Sequence, residues 1–231
     1  MHPGGLVVSI AAPAGADGGT RVAPLELRRN MPFVTVRVKV ARWTNATHPH
    51  YARSTMKALL VDQPNGPFRM VDVPRPAPRP GEALVRIHAS GVNPLDTKIR
   101  AGIAAHARHP LPAILGIDLA GVVEQLGDGV ATFRPGDEVY GMTGGVGGVP
   151  GSLAEFAAVD ARLLAQKPAN LSMRQAAALP LVAITAWEGL VDRARVSSGH
   201  RVLVQGGAGG VGHVAIQVAR EIGRASCRER V

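Results

Sequence analysis

Between residue 56 and the glycine-rich stretch near residue 210, apolar runs and turn signals follow one another at short intervals. MKALLVDQPNG (56–66) reads as a strand running into a turn. Three later punctuation marks, Pro80-Gly81-Glu82, Pro135-Gly136-Asp137 and Ser198-Gly199-His200, each open another apolar run, at 83–87, 139–141 and 202–204. Residues 117–124 add a further one. Short, evenly punctuated strands of this kind predict a partly open β-barrel over 56–168. After Asn170 the period changes. Ser172 and Gln175 make a capping box ahead of 176–179, and 183–191 predict a second apolar helix ending in 192–195.

The last patterned stretch is HRVLVQGGAGGVG (200–212). Residues 201–204 predict a strand. From Val211 onward, Val211, Val214, Ala215, Val218 and Ile222 recur at helical spacing. The glycines therefore stand between strand and helix. Gly207, Gly209 and Gly212 fit G-x-G-x-x-G, with Ala208, Gly210 and Val211 filling the turn. The first glycine permits the turn, the second lets backbone approach a pyrophosphate, and the third lets helix pack on strand. Free amides and aligned peptide dipoles at the helix start favour anionic phosphates. The reading is a dinucleotide site made of Gly207, Ala208, Gly209, Gly210, Val211 and Gly212, set against an ordinary strand-to-helix turn.

Composition changes this picture little. With 231 residues and 46% hydrophobic content, the chain is long enough for one or two globular domains. The net charge of +9 sits mostly in the flanks: residues 1–55 hold seven Lys/Arg against two Asp/Glu, 224–231 three against one, and the body sixteen against fourteen. No basic stripe with interleaved aromatics runs through the body, which argues against a nucleic-acid partner. Cys227 is the only cysteine, so no intramolecular disulfide framework is expected, and a cytoplasmic location suits it. No apolar run approaches the roughly 20 residues needed to span a bilayer. Asn45-Ala46-Thr47 matches a glycosylation sequon without meaning in that compartment. Residues 1–55 lack sustained periodicity, apart from an alternating strand-like stretch at 34–40, and read as a non-native or disordered extension. Residues 224–231 read as a foreign tail.

The order of segments resembles the medium-chain dehydrogenase/reductase superfamily, in its zinc-free quinone oxidoreductase branch. The resemblance rests on GVNPLDTKIRAG (91–102), GIDLAGVVEQLGDGV with FRPGDEVYGM (116–142), GSLAEFAAVD (151–160), AAALPLVAITAWEGL (176–190) and VLVQGGAGGVG (202–212). It implies an α/β fold: a GroES-like catalytic domain over 56–168, then linking helices and the first βα unit of a Rossmann doubly wound sheet over 169–223. The rest of that sheet would require on the order of 100 further residues. The chain as written is therefore expected to be an inactive fragment, with 202–204 a nearly solitary strand.

The resemblance also implies the chemistry. Zinc-using relatives carry Cys where this chain has Asn93 and Gly-His-Glu where it has Gly116-Ile117-Asp118. Neither Asn93 nor Ile117 replaces a thiolate or imidazole, so no zinc is expected. His106 and His109 form an H-x-x-H beside Pro110 and read as surface histidines. Hydride would pass from NADPH, with NADH not excluded, to a quinone or an α,β-unsaturated carbonyl, while protein donors steady the developing oxyanion. The resemblance places the Asn93 amide toward nicotinamide and substrate. Asp96 stands open between an orienter and an Asx turn. Lys98 occupies a position often held by tyrosine and stands open between proton source and solvated lysine. Thr185 stands open between a nicotinamide neighbour and helix packing. Tyr140 reads equally as pocket donor or core residue, and Trp187 as an anchor between domains. Runner-up readings are an enoyl-thioester or alkenal reductase and, outside enzymes, a non-enzymatic fragment or RNA-binding module. A homodimer is the family's usual assembly.

Overall fold

The computed structural model describes residues 55–223. The strand-like stretch at 34–40, Asn45, Cys227 and the two flanks lie outside the described residues. Eight strands and four α-helices follow in order: β1 (Thr55–Val61), β2 (Arg69–Pro74), β3 (Glu82–Ser90), α1 (Pro94–Arg100), β4 (Ala113–Ile114), β5 (Asp118–Leu126), β6 (Glu138–Met142), β7 (Phe156–Asp160), β8 (Leu164–Gln166), α2 (Met173–Ala177), α3 (Pro180–Trp187) and α4 (Gly210–Gly223).

The expected runs at 56–61, 83–87 and 139–141 fall within β1, β3 and β6, and the run at 117–124 enters β5 from its second residue. They pair as two antiparallel sheets, one ordered β2-β1-β4 and the other β7-β3-β5-β6-β8. The sheets are joined by the segment before β7, where Leu59 N donates to Leu153 O, Glu155 N to Lys57 O and Ile87 N to Glu155 O. This shared segment turns two sheets into the partly open barrel that the strand spacing predicts. β2 escapes a pattern reading because its side chains are exposed or only half-buried. Tertiary contacts hold its end: the Arg75 guanidinium stacks over the Phe156 ring at 4.1 Å and pairs with Glu124 at 2.7 Å.

Ala83, Val85, Leu119, Val123, Val139 and Val159 make the main core inside the larger sheet. A second cluster joins β1 to α1 through Val61, Ile99 and Leu115. Full burial of each such aliphatic side chain contributes about 1.5–3 kcal/mol. The Lys167 ammonium is buried at the barrel's exit, where it donates to Leu171 O and pairs with Glu138 at 3.0 Å. This pins the chain as it leaves β8 for the helices.

Ser172 and Gln175 form the expected capping box at the start of α2. α2 lays Ala176 and Ala177 on Ala120 of β5, with Tyr140 packed alongside, so Tyr140 takes its core reading. The second expected helix starts at Pro180, and its continuation widens into a π-helical turn over Glu188–Arg193. α3 packs on α4 through Val182 and Ala186 against Val214 and Ala215. Two expectations are corrected here. Residues 202–204, expected as a nearly solitary strand, are indeed unpaired but form no strand at all among the described residues, because a strand needs a neighbour to take its backbone hydrogen bonds. Trp187 is 53% exposed and absent from the α3–α4 packing, so Val182 and Ala186 perform the anchoring expected of it.

Candidate active site

The site is built where β3 ends, α1 begins, β5 begins and α3 begins. Gly91 allows these elements to converge. A Cβ there would strike the Ala177 carbonyl oxygen and stand 2.9 Å from the Asp118 Cβ, so only glycine lets the β3 exit pass between α2 and β5. Two residues later the chain enters α1 with Asn93 at the N-cap and Pro94 in the first turn, a placement that suits proline because its missing N–H has no helical partner. The Asn93 backbone N–H donates to Asp96 Oδ2 at 2.8 Å, one arm of a capping-box arrangement.

The Asn93 side chain is 3% exposed, and its Nδ2 donates to Asp118 Oδ2 at 2.9 Å. Asp118, only 1% exposed, opens β5 and also receives the Leu181 N–H, 3.1 Å from Oδ1 and 3.3 Å from Oδ2. Its backbone carbonyl accepts from Gly91 N at 3.0 Å and from the Ser152 hydroxyl at 2.8 Å; Ser152 in turn meets Ser90 Oγ at 2.6 Å. One carboxyl thus ties the start of β5 to α1 and to the first turn of α3. Burial drives both site carboxyls upward, Asp96 to about 6 and Asp118 to about 7. The Asn93 amide and Leu181 N–H oppose the rise at Asp118, and the neighbouring Asp96 charge adds to it. At Asp96 the Asn93, Gly116 and Ile117 groups pull downward, yet Oδ1 is buried without a partner in hydrogen-bond geometry.

Asn93 and Asp96 are therefore brought together, with the Asp96 carboxyl bonded to the Asn93 N–H inside the α1 cap. Lys98 lies farther along α1 on an exposed side. Thr185 is exposed on α3, and its hydroxyl donates back to Leu181 O at 2.7 Å. His106 is exposed in a short turn; His109 is half-buried, and its Nδ1 accepts from Gly148 N at 3.2 Å. Burial lowers the His109 pKa. In the sequence, Asp118 reads as a mere departure from the zinc pattern, and its role is missed. The usable signal was a carboxylate opening an otherwise apolar strand, IDLAGVV, since a buried charge demands partners.

The glycine turn stands at the start of α4. Gly206 adopts a positive φ of 76° and its carbonyl accepts from Gly209 N at 2.9 Å. A Cβ on Gly212 would strike that same carbonyl, and one on Gly207 would stand 2.8 Å from Ile216 Cδ1. The turn therefore folds back tightly on the start of α4. α3 joins the two halves, since its N-terminus receives Asp118 and its body packs on α4.

Residues 79–169 match the Alcohol dehydrogenase GroES-like domain. The chain is 40% identical over 172 residues to the quinone oxidoreductase of Rattus norvegicus, covering 73% of this chain and 50% of that protein. The chain belongs to the medium-chain dehydrogenase/reductase superfamily. Within this superfamily it falls in the quinone oxidoreductase-like branch. It is also 47% identical over 149 residues to the 2-methylene-furan-3-one reductase of Solanum lycopersicum, covering 63% of this chain and 38% of that protein. A solved alcohol dehydrogenase superfamily protein from Novosphingobium aromaticivorans superposes with a TM-score of 0.73 at 65% identity, covering 73% of this chain and 51% of the other. The chain spans half or less of the length of these two curated relatives. Among the described residues, no helix is long and apolar enough to cross a membrane.

Proposed function

We propose that the intact protein is an NAD(P)H-dependent reductase of quinones or α,β-unsaturated carbonyls that works without zinc. The observation that carries this reading is the Asn93 carboxamide, held by a buried carboxyl at the junction of barrel and α3. The donor set does not fit a catalytic zinc: Asn93 offers an amide, and Ile117 an alkyl group buried to 1% exposure. Among the described residues, no group of three or more His, Cys, Asp and Glu side chains is placed to hold a metal.

The glycine turn fits a dinucleotide, because the closeness of Gly206 and Gly207 to Gly212 and Ile216 of α4 leaves backbone rather than side chain at the helix start. Gly207, Ala208, Gly209, Gly210, Val211 and Gly212 would hold the pyrophosphate, and NADPH is the preferred cofactor. When bound, the nicotinamide supplies a hydride.

The chain's own residues then meet the charge that appears on the acceptor's oxygen. A hydride added at the β-carbon of an enone moves the C=C pair toward the carbonyl, leaving an enolate oxygen that needs a donor and later a proton. A quinone carries the same conjugation. Asn93 Nδ2 has two N–H groups, of which Asp118 takes one. The other is the proposed oxyanion donor. Asp96 holds the loop that carries Asn93, Lys98 is the proposed proton source, and Thr185 borders the nicotinamide. An alkenal or enone reductase is the second reading, favoured by the likeness to a 2-methylene-furan-3-one reductase. We place the protein in the cytoplasm and expect the intact form to be a homodimer.

The test is a substrate panel of p-benzoquinone, methyl vinyl ketone and a primary alcohol, each assayed with NADPH and NADH or their oxidised forms. Consumption of NADPH with either conjugated acceptor, without alcohol oxidation, is the expected result. Alcohol oxidation with no conjugated-acceptor reduction defeats the reading.

A further inference from the structure

We propose that Asp118 is a positioning residue that sets which end of the Asn93 carboxamide is offered to the substrate. This rests on the functional reading of Asn93 given above. The two ends of a carboxamide are nearly equal in shape, so neighbours decide which way it lies. A protonated carboxyl can also donate, but above about pH 7, where Asp118 is ionised, it only accepts and therefore selects the Nδ2 end. Here Asp118 Oδ2 takes that end at 2.9 Å.

The selector is itself held from three directions. The Leu181 N–H reaches both carboxyl oxygens from the first turn of α3, and Gly91 N and Ser152 Oγ hold the Asp118 backbone carbonyl. Gly91, tight against Ala177 and the Asp118 Cβ, keeps the Asn93 loop within reach. None of these contacts is needed merely to cap α1, which Asp96 already serves through Asn93 N. Within the α1 cap the Asn93 side chain also meets the Asp96 backbone N–H, and Asp118 supplies the acceptor that Nδ2 faces. Because the same carboxyl receives α3, movement of that helix against the barrel is transmitted to the amide.

The experiment reads the Asn93 side-chain amide by NMR in the protein labelled with nitrogen-15. In the wild type at about pH 8, above the Asp118 pKa of about 7, one of the two Nδ2 protons is expected to be shifted downfield and protected from exchange, since a charge-assisted bond to a buried acceptor is strong. Asp118→Asn keeps an acceptor for Leu181 N but turns a second NH2 group toward Asn93, so that protected proton is lost. Asp118→Glu, which keeps the carboxylate, retains it. In quinone reduction, Asp118→Asn lowers kcat by about 100-fold, the low end for loss of one oxyanion donor, with KM little changed.

Two Asn93 amide protons exchanging at the solvent rate in the wild type would overturn the proposal without any variant being made. So would an unchanged Asn93 amide in Asp118→Asn. A protected amide proton in a protein that reduces no conjugated acceptor supports the positioning role and removes the functional reading instead. Where Asp118→Asn does not fold, the wild-type amide and Asp118→Glu still decide the matter.

Discussion

Asn93 joins a structural duty to a proposed chemical one, and the two separate on mutation. Asn93→Ala removes the side-chain donor from Asp118, a carboxyl only 1% exposed. Leaving a buried acceptor short of a partner costs about 1–3 kcal/mol, so a lowered melting temperature is expected alongside a fall in turnover that exceeds any loss of cofactor affinity. Calorimetry and nucleotide titration check the two parts. The Asp96–Asp118 pair makes stability depend on pH. Both carboxyls rise above the usual 3.8, to about 6 and about 7, so the folded state holds more protons than the unfolded one between those limits. This contribution is fully present below about pH 4 and is lost as pH rises through about 6 to 7. The expected outcome is a melting temperature whose fall across that window is flatter in Asp118→Asn. An equal slope in variant and wild type contradicts it.

At the scale of elements, two glycines set how closely neighbours approach. Gly91→Ala puts a methyl against the Ala177 carbonyl and the Asp118 Cβ. Either α2 lifts from β5 or the Asn93 loop withdraws, at about 1–3 kcal/mol for overpacking. Loss of stability together with loss of the protected Asn93 amide proton is expected. Gly212→Val strikes the Gly206 carbonyl, which is backbone and has little room to yield. It should weaken nucleotide binding measured by titration while leaving the barrel's folding core intact. The elements themselves were mostly legible. β1, β3, β5 and β6 follow turn signals, and the α2 capping box stands in the sequence as Ser172 and Gln175. α1 is only seven residues long and β2 is exposed or at most half-buried along its length, so neither presents a buried face with a readable period. The strand expected at 202–204 shows the opposite failure, since β propensity supplies no partner for backbone hydrogen bonds.

For the whole molecule, the absence of a fitting zinc donor set among the described residues leads to a direct prediction. Elemental analysis of the purified protein should find no stoichiometric zinc, and chelator treatment should leave its melting temperature unchanged; about one tightly held zinc per chain would contradict this. The barrel, the α3–α4 pair and the glycine turn were all announced by local signals: turn punctuation, helical period and the spacing of Gly207, Gly209 and Gly212. Local signals suffice there because each records what a few neighbouring residues require of the backbone. Asn93 and Asp96 were also legible, being three residues apart at a helix start. Asp118 was not, because its meaning depends on Asn93, 25 residues earlier, and Leu181, 63 residues later. Sequence alone determined the family, most strands of the barrel with the helices that follow them, and the replacement of thiolate and imidazole donors by Asn93 and Ile117. Only the tertiary structure decided that one buried carboxyl would face both an amide and a helix start, because burial and convergence belong to packing between elements distant in the chain.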